Sequence, residues 1–172
     1  MDVADRVVLI TGASSGVGAA LATKLAEMGA RLVVNYSRSA EAAEAVVTQI
    51  TAAGGQALAV QADVSEEADC KRLVAATLEQ FGQLDALVNN AGTTTFIPHD
   101  QLDALTEDVW LRTLRVNLIG AFMMSREAAP HIEAAGGGEI VMTSSIASMT
   151  ANGSSIAYCA SKAGMNSLTR TL

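Results

Sequence analysis

Short runs of β-branched and apolar residues alternate along almost the whole sequence with longer stretches of helical periodicity. Residues 6–11 and 31–36, for example, are short runs rich in valine and leucine, and a glycine or serine turn separates each from the amphipathic stretch that follows. Alternation of this kind predicts a parallel sheet with helices on both faces. The nearly all-apolar strands agree, because strands of such a sheet are buried on both sides. We therefore predict an α/β fold of the doubly wound, Rossmann type, in a single domain over residues 1–172.

Glycines and polar residues set the boundaries of the predicted elements. The predicted strands are residues 6–11, 31–36, 56–61, 84–88 and 139–143. The predicted helices include residues 16–28, 40–53, 117–135 and 156–172. Another predicted helix opens at 63–67 with Ser65 as its N-cap and ends near Gly82. A further helical stretch is predicted around Trp110 and is capped by Thr106. Residues 94–103 and 144–155 are predicted to be loops.

Composition restricts the class of partner. The formal net charge is -7, and an acidic protein repels phosphate backbones, so we expect no nucleic-acid partner. The first six residues do not have the pattern of a signal peptide, and no apolar run has the length of a membrane span. The two cysteines, Cys70 and Cys159, show no metal-ligand spacing. We expect a cytoplasmic protein with free thiols, no membrane partner and no metal site.

A glycine-rich turn joins the first predicted strand to the first predicted helix. Gly12 allows a tight turn, Gly16 leaves room for a pyrophosphate, and Gly18 lets the helix pack close to the sheet. The helix N-terminus offers free N–H groups to phosphates. A purely structural turn is the alternative, and a P-loop is excluded because no lysine follows the last glycine. The residues predicted to contact a dinucleotide here are Gly12, Ser14, Ser15, Gly16, Val17 and Gly18.

The end of the second strand bears on the choice between NAD(H) and NADP(H). Proteins that prefer NAD usually place an acid there to bind the ribose 2′-OH. This sequence instead has Ser37, Arg38 and Ser39, which would attract a 2′-phosphate, so NADP(H) is favoured over NAD(H). The alternative is that Arg38 is a solvated surface charge. After the third strand, Asp63 and Val64 are predicted to contact adenine, although Asp63 also suits a helix cap.

A tyrosine and a lysine stand four residues apart on the last predicted helix. Tyr158 and Lys162 therefore lie on one face. An ammonium group favours the ionised form of a neighbouring phenol, so this pair can act as a general acid and base. Ser145 lies just past the fifth strand, where its hydroxyl can bind a substrate oxygen, and Ser144 is adjacent to it. Asn117 begins a predicted helix, where it can equally be a cap.

In combination these motifs closely resemble the short-chain dehydrogenase/reductase family, in order and in spacing, over essentially the whole chain. The resemblance implies that Tyr158 is the acid/base, Ser145 positions the substrate carbonyl, Lys162 binds the nicotinamide ribose, and Asn117 holds a water in a proton relay. It also implies that Asn90, Ala91 and Gly92 line the cofactor, which Tyr158 and Lys162 contact as well.

The same resemblance implies a function. The family transfers a hydride between NADP(H) or NAD(H) and a carbonyl or secondary alcohol, and residues 35–39 resemble those of NADP-preferring β-ketoacyl-carrier-protein reductases. A homotetramer is implied as well. Family members continue with further strands past the position of Leu172, so we expect this chain to be a fragment that lacks the last strands of the fold. The alternative function is a non-catalytic dinucleotide-binding protein.

Overall fold

The computed structural model describes residues 3–172, and within that range the chain forms one parallel sheet of five strands. The strands are β1 (Val7–Ile10), β2 (Arg31–Tyr36), β3 (Gln56–Gln61), β4 (Ala86–Asn89) and β5 (Glu139–Met142), in the spatial order β3-β2-β1-β4-β5. The order reverses at β1, so β1 and β4 flank the point where the chain switches direction. Ligands of doubly wound sheets bind at this point, beyond the carboxyl ends of the strands.

The helices occupy both faces of the sheet, as predicted. They are α1 (Gly16–Glu27), α2 (Ala40–Ala52), α3 (Glu67–Phe81), α4 (Glu107–Leu114), α5 (Gly120–Ala134), α6 (Ala147–Thr150) and α7 (Ile156–Thr171). Alternate strand residues face opposite sides, so Val7 and Leu9 join one core with α3 and α5, whereas Val8 and Ile10 join a second core with α1 and α2. The two cores explain why the central strands are apolar throughout.

The structure corrects several predicted boundaries. Helix α3 begins at Glu67 with Glu66 in the N-cap position, so Ser65 is not the cap; its hydroxyl donates to Asp63 Oδ1 instead. Both predicted loops contain a short helical turn, Leu102–Ala104 in the first and α6 in the second. The bounds of the last strand are close to those predicted, and β5 is an edge strand of the sheet with Val141 47% exposed.

A wide helical turn is the largest departure from the predicted elements. The helical stretch around Trp110 and the helix predicted to start at Asn117 form one continuous helix, joined by a π-helical turn at Arg115–Ile119. All residues at the junctions have right-handed helical dihedral angles. Asn117 is therefore inside a helix and is not an N-cap.

Candidate active site

The glycine turn after β1 packs directly against the loop after β4. Gly12 has a φ of +62°, and a Cβ atom there would lie 2.8 Å from the Cα of Ala91. A Cβ on Gly18 would lie 2.5 Å from Asn90 Nδ2. Gly16 also has a positive φ, of +57°, but no atom lies within 4 Å of the position of its missing Cβ. The turn is thus tightly packed at Gly12 and Gly18, whereas the space beside Gly16 is open and can receive a phosphate group.

Buried hydrogen bonds fix this turn to three strand ends. Asn35, at the end of β2, accepts a hydrogen bond from the Gly12 N–H at 3.1 Å and donates to the carbonyls of Val60 and Ala62 beyond it. Thr11 Oγ1 accepts from the N–H groups of both Asn90 and Ala91 at 3.0 Å. Sequence reasoning treated Asn35 only as the absence of an acid and missed this role.

A cavity of about 390 Å³ opens over the glycine turn. Its walls contain most of the predicted cofactor residues, namely Gly12, Ser14, Ser15, Ser37, Arg38, Ser39, Asp63, Val64, Asn90, Ala91 and Gly92. Gly16, Val17 and Gly18 follow on α1 and do not line the cavity itself; Val17 is 69% exposed beside it. Arg112 and Val116 complete the wall from α4 and the π-helical turn, and sequence reasoning missed both.

These residues fit a dinucleotide. The open space over Gly16 and the N-terminus of α1 suit a pyrophosphate, because the first N–H groups of a helix lack intrahelical partners. Arg38 lies between Ser37 and Ser39 on the cavity wall. It forms no ion pair and no side-chain hydrogen bond with any other residue in the range 3–172. An unpaired guanidinium at a cavity wall is available to a phosphate.

A second cavity, of about 450 Å³, contains the predicted catalytic side chains Ser145, Tyr158 and Lys162. It shares the lining residues Asn90, Gly92 and Thr93 with the first cavity, so the two cavities adjoin at the loop after β4. The cofactor and catalytic residues, which are far apart in the sequence, therefore line neighbouring cavities.

Lys162 has an unusual environment for a lysine. It is 3% exposed, its Nζ donates to the Thr143 carbonyl at 2.7 Å, and it lies 5.8 Å from the centroid of the Tyr158 ring. Burial lowers the pKa of Lys162 below its usual value, because a buried ammonium loses hydration. The side chain is thus held rigidly beside the phenol that it is predicted to assist.

Ser145 is positioned by the short helix α6. Its Oγ accepts a hydrogen bond from the Ala147 N–H at 3.2 Å, and its carbonyl accepts from Ser148 Oγ at 2.6 Å. The Ser145 hydroxyl proton is free to face the cavity. Ser144 also lines the cavity, but its Oγ donates to the Lys162 carbonyl at 3.4 Å and braces the catalytic helix.

Asn117 does not line either cavity; it is fully buried beneath them. Its side chain forms two hydrogen bonds with the Thr93 backbone, at 2.7 and 3.0 Å, and its Nδ2 donates to Ser161 Oγ at 3.0 Å. Ser161 in turn donates to the Tyr158 carbonyl. Asn117 thereby connects the loop after β4 to the catalytic helix α7, and its predicted role in a water relay stays a prediction.

The remaining reactive side chains lie outside the cleft. The histidines, His99 and His131, are exposed. Both cysteines are free and buried, and burial raises the pKa of the Cys70 thiol to about 11. Within residues 3–172 no cluster of three or more potential metal ligands occurs, and no helix there combines the length and apolarity needed to cross a bilayer.

Comparison with known proteins agrees with this geometry. The family model for short chain dehydrogenases matches residues 6–172. The chain is 48% identical over 166 residues to a granaticin polyketide synthase putative ketoacyl reductase from Streptomyces violaceoruber, an alignment covering 96% of this chain and 65% of that protein. It is 40% identical to a 3-oxoacyl-[acyl-carrier-protein] reductase from Synechocystis, over 97% and 66% of the two chains. The chain thus spans about two thirds of the length of these relatives.

Solved structures share the fold. A putative short-chain dehydrogenase/reductase from Burkholderia xenovorans superposes with a TM-score of 0.94 at 38% identity, over 98% of this chain and 70% of that one. A metagenomic short-chain oxidoreductase in complex with NADP has a TM-score of 0.90 at 36% identity, over 99% and 75%. An NADH-dependent reductase, A1-R′, has a TM-score of 0.90 at 31% identity, over 99% and 71%.

Proposed function

Because the chain belongs to the short-chain dehydrogenase family, we propose that it is an oxidoreductase that transfers a hydride between a nicotinamide dinucleotide and a carbonyl or secondary-alcohol substrate. One observation carries the proposal. The catalytic cavity, which contains Ser145, Tyr158 and Lys162, adjoins the glycine-turn cavity, and the two share the lining residues Asn90 and Gly92. A merely structural glycine turn needs no such connection, and a non-catalytic binding protein needs no buried lysine beside a tyrosine.

Each side chain has a chemical task in the proposed reduction. When bound, the cofactor supplies the hydride. The Tyr158 hydroxyl donates a proton to the substrate carbonyl oxygen, and the Ser145 hydroxyl donates a hydrogen bond to the same oxygen and orients it. The Lys162 ammonium, held 5.8 Å from the phenol ring, stabilises the negative charge that develops on Tyr158 when its proton leaves.

NADP(H) is the proposed cofactor. Arg38 lines the cavity with Ser37 and Ser39, and no carboxylate among residues 3–172 neutralises its charge. One similar structure was solved with NADP and another similar protein is named as NADH-dependent, so family membership alone does not decide the choice. The local charge at Arg38 is what favours the 2′-phosphate.

A β-ketoacyl thioester is the proposed substrate class, because two relatives are named ketoacyl or 3-oxoacyl reductases. We also propose a homo-oligomer. Leu111, Ile119 and Phe122 are large apolar residues that are 49, 46 and 40% exposed along the continuous α4–α5 helix, and a second copy would cover them. Light scattering of the purified protein measures the assembly directly.

The test of activity is NADPH oxidation, followed by absorbance, with a panel of β-ketoacyl thioesters and simple ketones. Tyr158→Phe removes the proton donor and keeps the ring, so turnover should fall by about 10²–10⁴-fold, as is typical when acid/base catalysis is lost. NADPH affinity should be retained. Near-normal turnover in this variant, or no NADPH-dependent reduction by the parent protein, would contradict the proposal.

A further inference from the structure

The wall of the glycine-turn cavity contains a second unpaired arginine besides Arg38. Arg112, on α4, lines the glycine-turn cavity, yet it forms no ion pair and no side-chain hydrogen bond with any residue in the range 3–172. Elsewhere in this acidic chain Arg6, Arg72 and Arg126 each contact a carboxylate. Arg112 is therefore available to a ligand that enters the cavity.

The surroundings of Arg112 identify the part of the cavity that it faces. Gly120, the first residue of α5 and the one directly after the π-helical turn, packs against the loop after β3, since a Cβ on Gly120 would lie 2.7 Å from the Val64 carbonyl oxygen. Arg112 and Val116 line the cavity from this same helical segment, together with Asp63 and Val64. The carboxylate of Asp63 accepts hydrogen bonds from Ser65 through Oδ1, and its Oδ2 has no protein donor among the described residues.

This wall thus combines an apolar surface, a hydrogen-bond acceptor and a cationic donor. Val64 and Val116 supply the apolar surface, Asp63 the acceptor and Arg112 the donor. Adenine presents the matching set, because its N6 amino group donates next to the N7 acceptor, and its ring faces are apolar. Guanine and hypoxanthine carry an oxygen at position 6, which an Asp63 carboxylate would repel.

We infer that Arg112 is a cofactor-binding residue that recognises the adenine base of the dinucleotide, opposite Asp63. The inference rests on the proposed function. It separates two roles within one cavity: Arg38 acts on the 2′-phosphate and sets the choice between NADP(H) and NAD(H), whereas Arg112 acts on the base that both cofactors share and sets affinity for each of them equally.

The experiment is a fluorescence titration of the purified protein with NADPH and with NADH. Arg112→Ala should raise the Kd for both cofactors by the same factor, about tenfold, which corresponds to about 1.4 kcal/mol. Arg112→Met, which keeps the aliphatic stem and removes the donors, should behave in the same way. Arg115→Ala is the matched control, because Arg115 is an exposed arginine three residues further along the helix that does not line the cavity, and its Kd values should equal those of the parent protein.

Three outcomes would overturn the inference. Unchanged Kd values in both Arg112 variants would show that the side chain does not touch the cofactor. Loss of affinity for NADPH but not for NADH would place Arg112 at the 2′-phosphate. An equal effect of Arg115→Ala would show that both arginines act only through their positive charge and not through a contact with adenine. A parent protein that binds neither cofactor would instead contradict the proposed function, so the two failures are distinguishable.

Discussion

Asn35→Ala should destabilise the fold more than any other replacement of a single polar residue near the cofactor cavity. The Asn35 side chain is 1% exposed. It accepts from the Gly12 N–H at 3.1 Å and donates through Nδ2 to the carbonyls of Tyr36, Val60 and Ala62 at 3.3, 3.2 and 3.0 Å. Alanine removes all four contacts and leaves the partly buried Gly12 N–H and the Ala62 carbonyl without this partner.

The magnitude follows from these contacts. A buried donor left unsatisfied costs about 1–3 kcal/mol, and the three carbonyls lose further stabilisation, so we expect a total loss of about 3 kcal/mol. For a domain of this size each kcal/mol lowers the Tm by about 2–4 °C, which predicts a decrease of about 6–12 °C. The NADPH affinity should fall as well, because Gly12 is no longer fixed in its left-handed conformation.

Thermal unfolding followed by circular dichroism measures this loss. Asn152→Ala is the control, because Asn152 is exposed. The Tm of this variant should stay within about 2 °C of that of the parent protein. Asn35→Asp keeps the acceptor for Gly12 but turns an oxygen toward three carbonyl oxygens, so it should be at least as destabilising as alanine. A Tm of the Asn35→Ala variant within about 2 °C of that of the parent protein would contradict this role of Asn35, as would an Asn35→Asp variant as stable as the parent protein.

Two further predictions concern charge. Arg38→Asp should weaken NADPH binding by more than tenfold and leave NADH binding nearly unchanged, as measured by parallel titrations; equal losses for both cofactors would refute the assignment of the 2′-phosphate. Burial lowers the pKa of Lys162 in the folded state. At pH values between that lowered pKa and about 10.4, the unfolded chain therefore binds more protons than the folded chain, and the free energy of unfolding rises with pH. In urea titrations from pH 7 to 10, Lys162→Met should lack this rise relative to the parent protein; parallel pH curves would show that the lysine is not destabilised by burial.

Features with a local sequence signal were predictable. The glycine turn, the helices α1, α2 and α7, and the central strands each have their determinants within a few residues, so their approximate positions follow from sequence alone. The strands β1 and β2 illustrate this: most of their residues are apolar, burial is complete at Val7, Leu9 and Val33, and both strands lie where the sequence predicted them.

Features set by distant contacts were not predictable. Asn117 contacts Thr93 and Ser161, which are 24 and 44 residues away, so its neighbours in the sequence indicate only a helix start. Arg112 lines the cavity together with Asp63 and Val64, which are far from it in the sequence, so its neighbouring residues do not indicate this position. The incorrect assignment of Ser65 as a cap has a different cause: its hydroxyl satisfies Asp63, two residues earlier, in a local turn that competes with helix capping.

The π-helical turn at Arg115–Ile119 also has a consequence for insertions and deletions in this chain. One residue of an α-helix corresponds to about 100° of rotation. Deleting a single residue from the turn would restore regular α-helical geometry without breaking the helix, and it would still rotate α4 by about that angle relative to α5. Arg112 and Val116 would then leave the cavity wall while Met123 and Met124 kept their places in the core. A relative that has lost this residue is therefore expected to keep the fold and to lack the part of the cavity wall that Arg112 and Val116 form here.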